Sequence, residues 1–66
     1  MLKELDSVSL KKPLPTGDVP VGSEGVVLYV YREPTLGYEV EFFDQSHRSL
    51  GAFSLAAAED YLEKHP

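Results

Sequence analysis

Apolar and polar residues alternate most cleanly at 38–42, where Tyr38, Val40 and Phe42 share one phase and Glu39 and Glu41 the other. A period of two predicts a strand with one face buried and the two carboxylates turned to water. Slipping this register by one residue would bury both glutamates unpaired, which fixes it firmly. Residues 26–31, Val-Val-Leu-Tyr-Val-Tyr, form the strongest strand by composition, being entirely β-branched, aromatic or Leu. Both phases there are apolar, so periodicity alone does not assign the faces; we place Val26, Leu28 and Val30 inward and Val27, Tyr29 and Tyr31 on the opposite side. Residues 5–10 predict a strand burying Val8 and Leu10. Residues 49–55 predict another, with Gly51, Phe53 and Leu55 inward.

The breaks between these runs are rich in glycine and proline. Pro13, Pro15, Gly17, Asp18 and Pro20 are each hostile to a central strand, so residues 11–21 are expected to form a long surface loop. Residues 22–25, Gly-Ser-Glu-Gly, read as a tight turn. Residues 32–37, with Pro34 and Gly37, read as a second loop, and residues 44–48 as a polar turn. The Ala-rich tail, 56–65, has high helix propensity, with Ser54 as a candidate N-cap and Leu55, Ala58 and Leu62 on one face. It predicts either a short helix over a barrel mouth or one helical turn followed by a brief fifth strand. Short apolar runs with such punctuation describe a mainly β domain that closes on itself.

At 66 residues the chain makes one domain, 1–66, which buries only about 60% of its unfolded surface. Without cysteine, neither a disulfide nor a thiolate metal site supplements that core. The absence of cysteine fits a reducing compartment, and no apolar run approaches signal-peptide or membrane-spanning length, so a cytoplasmic location is expected. Eleven acidic residues outweigh six basic ones, giving a net charge of -5. The basic residues are scattered, whereas nucleic-acid binding draws on clustered Lys and Arg. Charge therefore disfavours nucleic acid and an anionic membrane alike.

Candidate chemistry is sparse. A phosphate-cradling loop opens a helix and often carries Lys, whereas Gly22 and Gly25 precede a strand beside Glu24. His47 and His65 do not assemble three or four metal ligands, even with Asp44. Glu39 and Glu41 lie roughly 7 Å apart on one strand face, a separation compatible with paired-carboxylate chemistry. A small barrel offers them little of the concavity that raises a catalytic pKa, so both read as a solvated outer face. Asp44, Ser46 and His47 are too close in sequence for a hydrolytic triad. No catalytic residue, metal or cofactor is expected. Tyr29, Tyr31 and Phe43 face away from the interior: either the tail covers them with Tyr61 and Leu62, or they anchor a partner.

The run Val21-Gly22-Ser23-Glu24-Gly25-Val26-Val27-Leu28-Tyr29-Val30-Tyr31, followed by Gly37-Tyr38-Glu39-Val40-Glu41-Phe42, resembles the pattern of small SH3-like barrels with a KOW-type turn. Together with Leu5-Asp6-Ser7-Val8 and Ser54-Leu55, it resembles a family of short bacterial proteins, common in cyanobacteria, described only as a conserved domain of unknown function. The likeness covers roughly residues 2–56. It departs from the pattern at residues 44–48, which lack the expected glycine, and in the Ala-rich tail. The resemblance implies a five-stranded SH3-like barrel with a short C-terminal helix or helical turn. It also implies an antitoxin-like or immunity-like role, because such proteins are encoded beside small toxin-like or nuclease-like neighbours.

The expected function is a non-catalytic protein-binding module or accessory subunit, with its protein partner encoded by a neighbouring gene. Its candidate partner-binding residues are Tyr29, Tyr31, Arg32, Glu39, Glu41 and Phe43. The alternative is an RNA-binding KOW-type barrel, in which Tyr29, Tyr31 and Arg32 would stack on bases. A homo-oligomer is compatible with the sequence, and an active site would require residues of two chains to meet at its interface. Recognition of proline-rich peptides would need an aromatic groove with acidic loops; Tyr29, Tyr31, Glu33 and Pro34 are suitable types in an unfamiliar order.

Overall fold

A computed structural model describes residues 2–15 and 18–65. Thr16 and Gly17, within the stretch read as a loop, lie outside the described residues. Five strands, β1 (Ser7–Leu10), β2 (Glu24–Tyr31), β3 (Gly37–Phe43), β4 (Ser49–Leu55) and β5 (Leu62–Lys64), form one antiparallel sheet in the order β4-β3-β2-β1-β5. Among the described residues a single short helix, α1 (Ala58–Tyr61), precedes β5. This is the mainly β, barrel-like architecture that the apolar pattern predicts. Among the described residues no helix is long and apolar enough to cross a membrane.

The core follows from strand alternation. Tyr38, Val40 and Phe42 are buried as expected, and so are Val8 and Leu10. Across the sheet the inner positions line up in rows: Val8, Gly25, Phe42 and Gly51 in one, Val27, Val40 and Phe53 in the next, and Val30, Tyr38 and Leu55 in the third. The Phe42 ring is thus flanked by glycine on both neighbouring strands. It lies over Gly25, where a Cβ would come within 2.9 Å of its Cδ1 and 2.8 Å of the Glu41 carbonyl oxygen.

Strand β2 corrects the expected phase. Val27, not Val26 and Leu28, joins Val30 inside, while Leu28 is exposed. The register shifts between Val27 and Tyr29, where Val27 pairs with Val40 and Tyr29 with Glu39, so Leu28 is an extra residue opposite β3. Such a bulge switches the inward phase in mid-strand, which a strict period of two does not represent. Strand β2 also begins earlier than expected, at Glu24, so Gly25 belongs to the strand. The preceding turn is built by Gly22 at φ 96°, with the Ser23 N–H and Oγ–H both donating to the Pro20 carbonyl.

Strand β1 is shorter than predicted. Leu5 stays outside it, exposed and at φ 71°. The loop after β1 is not purely superficial either, because Leu14 and Val19 are buried in the core beside Leu2. A chain this small fills its interior with loop residues because the strands alone supply too few.

The tail takes the second of its expected forms, a helical turn and then a strand. Leu62 is buried opposite Leu10, and Val8 pairs with Lys64. Ser54 is not the N-cap; Ala57 occupies that position without a side-chain hydrogen bond. At residues 44–48, the missing glycine is replaced by His47 at φ 65°. Asp44 steadies this turn through Oδ1, which accepts the N–H groups of Ser46 and Arg48 at 2.8 and 2.9 Å.

Candidate functional site: the outer face of the sheet

The residues that alternate away from the core meet on the opposite face of the sheet. Pairing sets Tyr29 beside Glu39 and Ser54, Val26 beside Glu41 and Ala52, and Tyr31 beside Gly37. Five of the six candidate partner-binding residues, Tyr29, Tyr31, Glu39, Glu41 and Phe43, therefore share one surface. Tyr29 and Tyr31 are 52% and 42% exposed, and their rings meet edge to face with centroids 4.8 Å apart. The tail does not cover them. Tyr61 and Leu62 pack against the core instead.

The two carboxylates are half-buried and oriented by serines of β4. Ser54 Oγ donates to Glu39 Oε1 at 2.7 Å, and Ser49 Oγ donates to Glu41 Oε2 at 2.7 Å. Both glutamates therefore lean towards β4, an arrangement that became visible only once register put each serine opposite or near its acid. Leu28 and Leu36 are also exposed, at 42% each, and sequence reasoning did not select them. Leu28 is turned outward by the bulge, which arises from pairing with β3 and leaves no local mark in the sequence.

Arg32 stands apart from this group, and Phe43 sits at the far end of the same face. Arg32 is exposed just beyond β2. Phe43 is half-buried at the far end of β3 and lines a shallow groove of about 890 Å³ with Val26, Leu50, His47 and His65. Both histidines thus line one groove, but each has a local explanation. His47 builds its turn, and the His65 ring nitrogen Nε2 is hydrogen-bonded to Ser9 Oγ, joining the end of β5 to β1. Among the described residues no three His, Asp or Glu side chains gather at metal-binding spacing.

Beneath the face, the Tyr38 hydroxyl is buried with no hydrogen-bond partner among the described residues. Burial pushes its phenol pKa up, the Glu59 carboxylate pushes in the same direction, and Arg32 partly offsets them. A neutral phenol is therefore retained over a wide pH range.

A family model described as a domain of unknown function (DUF4926) matches residues 4–59. No curated protein and no solved structure matches the chain significantly.

Proposed function

Since the chain belongs to the DUF4926 family, whose description assigns no activity, we propose that it is a non-catalytic protein-binding module that uses the outer sheet face. The observation that carries this reading is the exposed Tyr29–Tyr31 pair beside Glu39 and Glu41. Tyrosines supply large contact area at low entropic cost and are favoured anchors of interfaces. A domain with so few apolar side chains gains no folding stability from displaying these two. The neighbouring carboxylates favour a partner with a basic surface and repel phosphates, which weighs against RNA stacking on the same tyrosines.

Five antiparallel strands with β1 between β2 and β5 support an SH3-like barrel of the KOW type. An acidic domain capping a basic toxin or nuclease would suit the antitoxin-like or immunity-like role, in the cytoplasm and with the partner encoded next to it. The test is purification of the untagged protein from its own host, alongside a Tyr29→Ser/Tyr31→Ser variant. A stoichiometric protein partner is expected with the native chain, weakened at least about tenfold in the variant. A native chain that purifies alone, or binds single-stranded RNA at low salt, refutes the proposal.

A further inference from the structure

The sheet has two edges, and they differ in how they are protected. Strand β5 is three residues long and carries Glu63 and Lys64, a short charged edge of the kind that resists further pairing. Strand β4 spans seven residues, Ser-Leu-Gly-Ala-Phe-Ser-Leu, with neither charge nor proline. Among the described residues it pairs with β3 alone, so alternate N–H and C=O groups point outward along its other side. At Gly51 the N–H is already taken by Ser49 Oγ, at 3.1 Å, which leaves residues 52–55 as the open stretch.

Two further features converge there. A cleft of about 520 Å³ runs along the same residues, floored by Phe53 and walled by Leu14, Pro15 and Tyr61. On the opposite side of the strand, Ser54 and Ser49 draw the Glu39 and Glu41 carboxylates towards β4. Neither carboxylate has a salt-bridge partner among the described residues.

We propose that the β4 edge is a docking site for an extended segment of a basic protein partner, which adds to the sheet as a further strand. Alternate side chains of an added strand point to opposite faces. Those on the inner side would be apolar and enter the cleft beside Phe53. Those on the outer side would be Lys or Arg, within reach of Glu39 and Glu41. Main-chain hydrogen bonds supply affinity in such strand addition, and the alternating side chains supply selectivity. A second copy of this chain suits the edge poorly, because pairing two β4 strands would bring the glutamates of both copies together in molecules each carrying a charge of -5.

The inference rests on the protein-binding reading, and the experiment separates the two. The probes are a capped octapeptide alternating Val and Lys and its counterpart alternating Val and Glu, each titrated into the isotope-labelled full chain and followed by NMR and amide hydrogen exchange. The Val/Lys peptide is expected to bind at low salt and slow exchange within residues 52–55, and the Val/Glu peptide to do neither. Glu39→Gln with Glu41→Gln should weaken binding about tenfold, since these carboxylates supply the charge match. Ala52→Lys, an exposed change that places a charge on the edge, should abolish it while the spectrum stays folded.

Equal binding of both peptides, or no binding of the Val/Lys peptide, overturns the docking site. Binding that shifts Tyr29 and Tyr31 without protecting β4 also overturns it, yet leaves the protein-binding reading standing. Sedimentation that finds a dimer dispersed by Ala52→Lys assigns the edge to a second copy and refutes the inference.

Discussion

At the scale of single residues, Gly25 shows how little slack the interior has. A methyl group on Gly25 would press on both the Glu41 carbonyl and the Phe42 ring. Gly25→Ala should therefore cost about 1–3 kcal/mol, read as a lower urea midpoint with an unchanged slope. Gly37→Ala is the control: its nearest neighbour is the Leu55 carbonyl at 3.7 Å, an ordinary contact. That change should be neutral or stabilise by up to about 1 kcal/mol. Tyr38 gives a pH prediction. Its pKa is raised in the folded state by burial first and by Glu59 second, so as pH rises past the ordinary tyrosine value of about 10, the unfolded chain releases this proton before the folded one does. Stability is full below that pH and declines above it. Tyr38→Phe should flatten the decline in alkaline urea titrations, while at neutral pH stability stays level or rises by about 1 kcal/mol.

At the scale of elements, strands in which only one phase is apolar could be read directly, and strands with two apolar phases could not. Strand β3 was legible because Glu39 and Glu41 exclude the other register. Strand β2 offered no such constraint, and its bulge at Leu28 answers to pairing with β3 rather than to anything local. The tail was ambiguous for a related reason: Ala-rich residues favour helix intrinsically, yet Leu62 gains more by packing opposite Leu10. The turn at 44–48 was recognised, but not that a histidine would hold the left-handed position. A His47→Gly change should stabilise the domain by up to about 1 kcal/mol in thermal denaturation, because glycine adopts that conformation without a Cβ clash. A loss of stability would mean that the imidazole makes a contact worth more than the relieved strain.

At the scale of the whole molecule, the face that unites Tyr29, Tyr31, Glu39 and Glu41 was half legible. Alternation separated outer from inner residues, but only register could show that Ser49 and Ser54 orient the acids, and that Phe43 lies at the end of the face away from the tyrosines. The free edge of β4 was invisible in sequence, since strand order is a property of the assembled sheet. Small size makes the core fragile as a unit. Leu62→Ala should cost about 2–4 kcal/mol, a large share of the roughly 5 kcal/mol that a domain this size holds. Calorimetry should show a sharply lowered or absent transition.

The pairing of Val8 with Lys64 joins the strand made first to the strand made last. During synthesis, the stretch carrying β2, β3 and β4 can form its hairpins as it emerges, but β1 has no second neighbour until residues 62–64 have left the ribosome. The nascent chain therefore leaves Val8 and Leu10 half-covered until then, and cooperative folding waits for that final, most distant closure.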